Sequence, residues 1–255
     1  MFYILFSNLP ATFSEPQNKF TGEIHLDLQQ KEMDKCIQKC RDTLQEHCAN
    51  NPYVLKMFDE TLNQWKSYYV QNKGHFDIHR LLNAINFAAI KHEGQYRKDA
   101  TATPYIIHPM GVARSLWEEG QIRSLNVLIA ALLHDTLEDT DTTAEEIEKC
   151  FGPRVRYTVE ELTNDSNLSS LENKQRQVDH APHLSLNAQL VKLADRLHNI
   201  RDLRNPPPNW DENHINSYFN WGQKLLNALK GTNERLEQAL QEEILNHSDF
   251  HEKQQ

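Results

Sequence analysis

The sequence predicts an all-α fold, and three observations carry that expectation. Apolar residues recur at helical spacing in almost every segment. No alternating apolar–polar run is long enough to read as a strand. Only eight glycines in 255 residues leave little for a turn-rich β architecture, while a hydrophobic content of 38% suffices for a real core.

The elements follow in order. After a polar tail read as loose, Met33, Cys36, Ile37, Cys40 and Leu44 form the first stripe. Asn50-Asn51-Pro52 breaks the chain, with Pro52 suited to a first helical turn. Leu55, Phe58, Leu62, Trp65 and Tyr69 form the second stripe, closed near Gly74. These two helices read as a separate antiparallel hairpin; simple packing on the main domain is favoured over a partner-binding or dimerising role, in which the exposed face could include Trp65 or Tyr69. Asp77 caps a third helix through Ile78, Leu81, Leu82, Ile85 and Ala89. The stretch HEGQYRKDATATPYI has no period and reads as a loop of functional length. Pro109 starts a helix that ends at Gly120, and Ser124 caps the apolar helix after it. Thr143 and Glu146 have capping-box spacing for a short helix stopped by Gly152. Two more helices are expected across 153–163 and 169–179. Ser185 caps a long helix striped by Leu186, Leu190, Leu193, Leu197 and Ile200, which Pro206-Pro207-Pro208 ends. Asp211 and Gly231 bracket another, and a last helix runs into a charged tail.

The formal charge of −9 argues against a nucleic-acid binder, which needs a basic footprint, but not against a small anionic ligand. The start, MFYILFSNLP, lacks basic residues and is short, so it reads as neither signal peptide nor membrane span. A soluble, cytoplasmic protein is expected, with no membrane partner and with a homo-oligomer left open. Cys36, Cys40, His47 and Cys48 leave a metal site conceivable, but they lack a CxxC knuckle. Reduced, half-buried thiols are the better reading, with Cys150 alone elsewhere.

The informative stretch is ALLHDTLEDT, residues 130–139, where an apolar run turns abruptly acidic. Residues four apart share a helix face, so Glu138 should sit above His134 and Asp139 above Asp135. Such a cluster beside a core would repel itself, and a divalent cation would offset both repulsion and desolvation. Other ligands should come from elsewhere. His108 lies in PYIIHPMG, and Asp195 lies in the leucine-rich LVKLADRLHNIRDL, with Asn199 one turn later. Together His108, His134, Asp135 and Asp195 make a two-imidazole, two-carboxylate set suited to Mn²⁺, Fe²⁺ or Zn²⁺. Taken singly, each is better read as a cap or a solvated helix residue. Carboxylates recurring where burial is expected reverse that balance.

These three motifs, in this order, are similar to those of HD-domain phosphohydrolases. More narrowly, HEGQYRKDATATPYIIHP, ALLHDTLEDT and LVKLADRLHNIRDL resemble the hydrolase domain of the RelA/SpoT-homologue family, above all its small, stand-alone metazoan-type alarmone hydrolases. The resemblance covers about residues 76–240. It implies an HD-type helical fold over 75–245, with 1–74 an extension of unassigned role and 246–255 a polar tail. It further implies one Mn²⁺ per chain on His108, His134, Asp135 and Asp195, and a catalytic acidic pair at Glu138 and Asp139. Substrate contacts fall at Arg97, Lys98 and Asn199. The implied reaction removes the 3′-pyrophosphate of (p)ppGpp, a small-molecule nucleotide. With the chain closing soon after this region, degradation rather than synthesis is expected. The alternatives are another phosphorylated nucleotide, such as the 2′-phosphate of NADPH, and a nucleotide sensor without turnover.

The match is imperfect in one place. In LTNDSNLSSLENKQRQ, Asn164, Ser166, Ser169 and Ser170 stand where relatives often carry acids or lysines, and Gln189 replaces a common lysine. Lys174 and Arg176 are placed to compensate. His92 is read as bracing the loop, Tyr105 as packing, and His180, His183 and His198 as ordinary.

Overall fold

In the computed structural model, the backbone of residues 19–252 and the side chains of 31–247 are described. Twelve α-helices and no strand occur among them: α1 Lys19–His47, α2 Pro52–Gln71, α3 Ile78–Lys91, α4 Ile107–Glu118, α5 Leu125–Leu133, α6 Thr136–Asp139, α7 Ala144–Phe151, α8 Pro153–Leu162, α9 Ser170–His180, α10 Leu186–Asp202, α11 Glu212–Ala228 and α12 Glu234–Glu252. A 3-10 turn at Ala181–His183 joins α9 to α10. No helix among the described residues is long and apolar enough to cross a membrane.

Local chemistry explains most boundaries. Asn51 accepts from the backbone N–H groups of Tyr53 and Val54 and so caps α2, with Pro52 at its first position. Asp77, Ser185 and Asp211 cap α3, α10 and α11 through the N–H of the third residue on. Ser124 stands at the N-cap of α5, but its side chain makes no capping bond. Thr143 caps α7 from one side only, because Glu146 pairs instead with Lys91 at 3.0 Å. The complete reciprocal box is at Ser169 and Glu172, opening α9. The helical backbone of α1 begins at Lys19, well inside the tail expected to be loose; residues 1–18 lie outside the described residues.

α5 is the centre of the molecule. Every side chain from Val127 to Leu133 is buried, and the helix packs against α3, α4, α8 and α10. Each buried Val, Leu or Ile in that run contributes roughly 1.5–3 kcal/mol. This explains how one short helix fixes the place of the acidic motif that follows it.

The first two helices pack on the rest of the molecule, the favoured expectation, rather than chiefly on each other as a hairpin. α1 lies mainly along α3, and α2 along α4. Trp65 is 1% exposed, sealed edge-on against Trp117 in a knot with Tyr68 and Phe76, so it offers no outward face. Arg114 on α4 binds Glu60 of α2 at 2.7 Å. Residues 33–71 thus share one continuous core with the rest. Cys40 and Cys48 are buried free thiols; burial pushes Cys48 up to about 11 and Cys40 higher still, which keeps both protonated.

Candidate metal centre

The acidic motif is not one helix end, as its spacing suggested. α5 stops at Leu133, His134 and Asp135 form a turn, and α6 restarts at Thr136. The turn swings His134 and Asp135 inward while leaving Glu138 and Asp139 at the surface. The Glu138 carboxylate accepts from the Asn164 backbone N–H at 3.0 Å and from Asn164 Nδ2 at 2.9 Å.

Four of the expected residues converge. His108, on the first turn of α4, directs Nε2 to within 3.2 Å of Asp195 Oδ1 and 3.5 Å of Asp135 Oδ2. His134 Nε2 lies 3.1 Å from Asp135 Oδ2 and 3.7 Å from Asp195 Oδ1. His108, His134 and Asp195 form a group able to hold a metal, with donor atoms within 4.8 Å of one another. Asp135 joins that group from the His134 side.

The donor chemistry fits a cation. His134 Nδ1–H donates to the Ala131 carbonyl at 2.9 Å, which makes Nε2 the ring atom that faces the carboxylates. That Nε2 is buried and has no hydrogen-bond partner. A buried imidazole nitrogen set between two carboxylates is a ligand position for a divalent metal, which would displace the proton those carboxylates hold there. Burial lowers the basicity of His134, but Asp135 and then Asp195 outweigh it and hold the ring up to about 9. Burial and then Arg97 lower His108, so that ring is neutral. The partner imidazoles hold Asp195 well below the usual carboxylate range against a burial penalty, and Asp135 likewise below it.

A ring of polar groups orients these four. Tyr105, read from the sequence as packing, also donates its hydroxyl to Asp135 Oδ2 at 2.7 Å. Asn199 Nδ2 donates to Asp195 Oδ1 at 2.5 Å and accepts from Arg97 at 2.7 Å on its Oδ1. Arg97 also binds Asp202 at 2.6 Å and lies over the Tyr105 ring. Lys98 is exposed beside Asp139 and opposes the rise of its pKa. Partial burial, then Asp135 and Glu138, push Asp139 up to about 6. His92 braces the loop as expected, bonding Gln95 at 2.7 Å.

His198 is not ordinary: its Nδ1 lies 3.1 Å from His108 Nδ1. Asp195, His198, Asn199 and Asp202 share one face of α10 at i, i+3, i+4 and i+7, a pattern that could have found it. Gly111 on α4 makes the room, since a Cβ there would stand 2.0 Å from His198 Nε2.

Comparison with known proteins agrees with this geometry. The HD-domain family model matches residues 84–217. The chain belongs to the HD-domain family. This HD-domain protein is 54% identical over 164 residues to the mouse (Mus musculus) guanosine-3′,5′-bis(diphosphate) 3′-pyrophosphohydrolase MESH1, covering 64% of this chain and 92% of the relative. Drosophila melanogaster MESH1 is 43% identical with the same coverage. A solved structure described as a metazoan orthologue of SpoT that hydrolyses ppGpp superposes with a TM-score of 0.64 at 42% identity, over 66% of this chain and 95% of that one. All three span nearly whole relatives, so about a third of this chain has no counterpart in them.

Proposed function

We propose that this protein is a Mn²⁺-dependent 3′-pyrophosphohydrolase of (p)ppGpp, converting it with one water to GDP or GTP and pyrophosphate. The observation that carries the reading is the convergence of His108, His134, Asp135 and Asp195, with imidazole nitrogens and carboxylate oxygens 3.1–3.7 Å apart. High identity to MESH1 over most of that relative's length supports the choice of substrate. A nucleotide of this kind places its action in the cytoplasm.

A divalent cation in this socket would polarise phosphate oxygens and lower the pKa of water towards neutrality. The chain's own residues supply the rest. The oxygen of water forms a bond to the proximal phosphorus of the 3′-diphosphate, and the bond from that phosphorus to O3′ breaks. Asp139, held up to about 6, accepts the proton of the attacking water near neutral pH. Glu138, fixed by Asn164, orients that water at the rim. The departing O3′ takes a proton and becomes the free hydroxyl of the nucleotide. Arg97 and Lys98 bind the anionic nucleotide, and Asn199 holds Asp195 in register while facing it.

The test is a nucleotide panel with Mn²⁺, scored for pyrophosphate against orthophosphate. Pyrophosphate released from ppGpp in step with GDP is expected. Orthophosphate from NADPH or another nucleotide, with ppGpp untouched, overturns the substrate. Tight ppGpp binding without any product supports a sensor instead.

A further inference from the structure

Two cations on α10 stand with no carboxylate bonded to them. Lys192 and Arg196, one turn apart, are 7% and 2% exposed. Lys192 Nζ donates to Gln177 Oε1 at 3.3 Å. Arg196 Nε and Nη1 are buried without hydrogen-bond partners. The Arg196 guanidinium lies 3.7 Å from the Trp221 ring centroid and 5.0 Å from that of Tyr218, and Lys174 approaches the same two rings. Stacking on aromatic faces returns less than the desolvation of an ion costs. The nearby anions acting on Lys192 are Asp195, Asp135 and Glu138. A divalent cation neutralises Asp195 and Asp135, so a loaded centre leaves Glu138 as the one nearby anion acting on Lys192.

Their position is specific. Lys192 reaches the rim carboxylate through a chain of side chains: Gln177 Nε2 donates to Asn164 Oδ1 at 2.8 Å, and Asn164 Nδ2 to Glu138 at 2.9 Å. Arg97 lies at the opposite end, with Asn199 and Asp202 beyond Asp195. At 1.5 Å per residue, positions 192 and 199 are roughly 10 Å apart along the helix axis. The metal centre therefore sits between two cationic poles. A cavity of about 490 Å³ between α10, α11 and α12, lined by Leu203, Ile215 and Phe219, contains neither pole.

We propose that Lys192 and Arg196 form an anion seat for a diphosphate group on the Glu138 side of the metal centre, holding the 3′-diphosphate of the substrate and then the pyrophosphate product. Arg97 and Lys98 serve the rest of the nucleotide at the other pole. The assignment rests on the hydrolase reading above, but the seat can be tested without turnover.

The probe is radiolabelled inorganic pyrophosphate, retained by the full chain on ultrafiltration with divalent metal in the buffer. Lys192→Met should weaken retention at least about tenfold, the scale of one lost charge-assisted hydrogen bond, and Lys192→Arg should restore part of it. Arg196→Lys, which keeps the charge but loses the fork, should weaken it less. Lys192→Met should also melt at a higher temperature than wild type without ligand, whereas a lysine with only a structural role would give a lower one. Unchanged pyrophosphate retention in folded Lys192→Met and Arg196→Lys overturns the seat, even if ppGpp is hydrolysed normally. No retention by wild type overturns it as well. Retention that depends on Lys192, with no pyrophosphate released from ppGpp, upholds the seat and removes the hydrolase reading.

Discussion

The Nδ1 atoms of His108 and His198 face each other at 3.1 Å across the α4–α10 contact, so one ring must carry the proton between them. His108 needs its Nε2 lone pair for the metal, which puts the proton on its own Nδ1 and makes His198 the acceptor. Burial, then the proximity of His108 and Arg97, hold His198 well below its usual pKa, so the ring stays neutral and able to accept. Outer partners of this kind fix the tautomer of a ligating histidine.

Replacing His198 by alanine should therefore lower metal affinity by about 10–100-fold while leaving the helical content intact. His198→Asn, whose amide oxygen can accept from Nδ1–H, should recover part of the loss. Competition against a metallochromic chelator measures both. Equal affinities in wild type and His198→Ala would show that the contact between the rings is only packing.

Gly111 tests the same contact from the other helix. Alanine is ordinarily the better helix former by about 1 kcal/mol, so an unconstrained Gly111→Ala would stabilise α4. Here the added Cβ would stand 2.0 Å from His198 Nε2, and overpacking of a close-packed core typically costs about 1–3 kcal/mol. Gly111→Ala should lower the midpoint of denaturant unfolding and weaken metal binding together. A rise in stability would mean that His198 has room to move away.

How far the sequence foretold this arrangement depended on whether the signal was local. Helical periodicity and caps placed most elements within a residue or two, because spacing, proline and capping side chains act over one turn. The convergence of the proposed ligands was legible because His134, Asp135 and Asp195 stand where apolar stripes lead into the core. The break between α5 and α6 was not, since no glycine or proline marks it and Asp139 N–H still bonds the Asp135 carbonyl at 2.9 Å. Tyr105 was missed for a tertiary reason, since its partner lies 30 residues away, whereas His198 was marked by its face of α10 and only its partner, 90 residues away, was hidden. The docking of α1 and α2 was equally hidden, because an amphipathic stripe says that a face is buried, not against what.

Asp195→Ala and Glu138→Gln should separate binding from turnover. Removing Asp195 takes away a carboxylate that lies against both histidines, so the purified variant should contain almost no divalent metal by elemental analysis and should show no activity. Glu138 is at the rim and bonded to Asn164, so Glu138→Gln should keep wild-type metal content and lose roughly 10²–10⁴-fold in kcat. Full metal content in Asp195→Ala would remove it from the ligand set. A normal kcat in Glu138→Gln would leave Asp139 as the sole acidic participant.

Metal uptake should expel a proton, and its dependence on pH follows from His134. In the metal-free chain Asp135 and Asp195 hold this imidazole protonated up to about 9, whereas His108 is already neutral near pH 7. A ligating nitrogen must give up its proton, so below that value every metal bound competes with one proton at His134. Apparent affinity should rise roughly tenfold per pH unit from pH 6.5 to 8.5 and level off above about 9. Calorimetry in buffers of different ionisation enthalpy should count about one proton released per metal at pH 7. Affinity independent of pH across that window, with no proton released, would place the metal away from His134. Asp139 would not mimic this signal, because its carboxyl, at about 6, is largely ionised throughout the range.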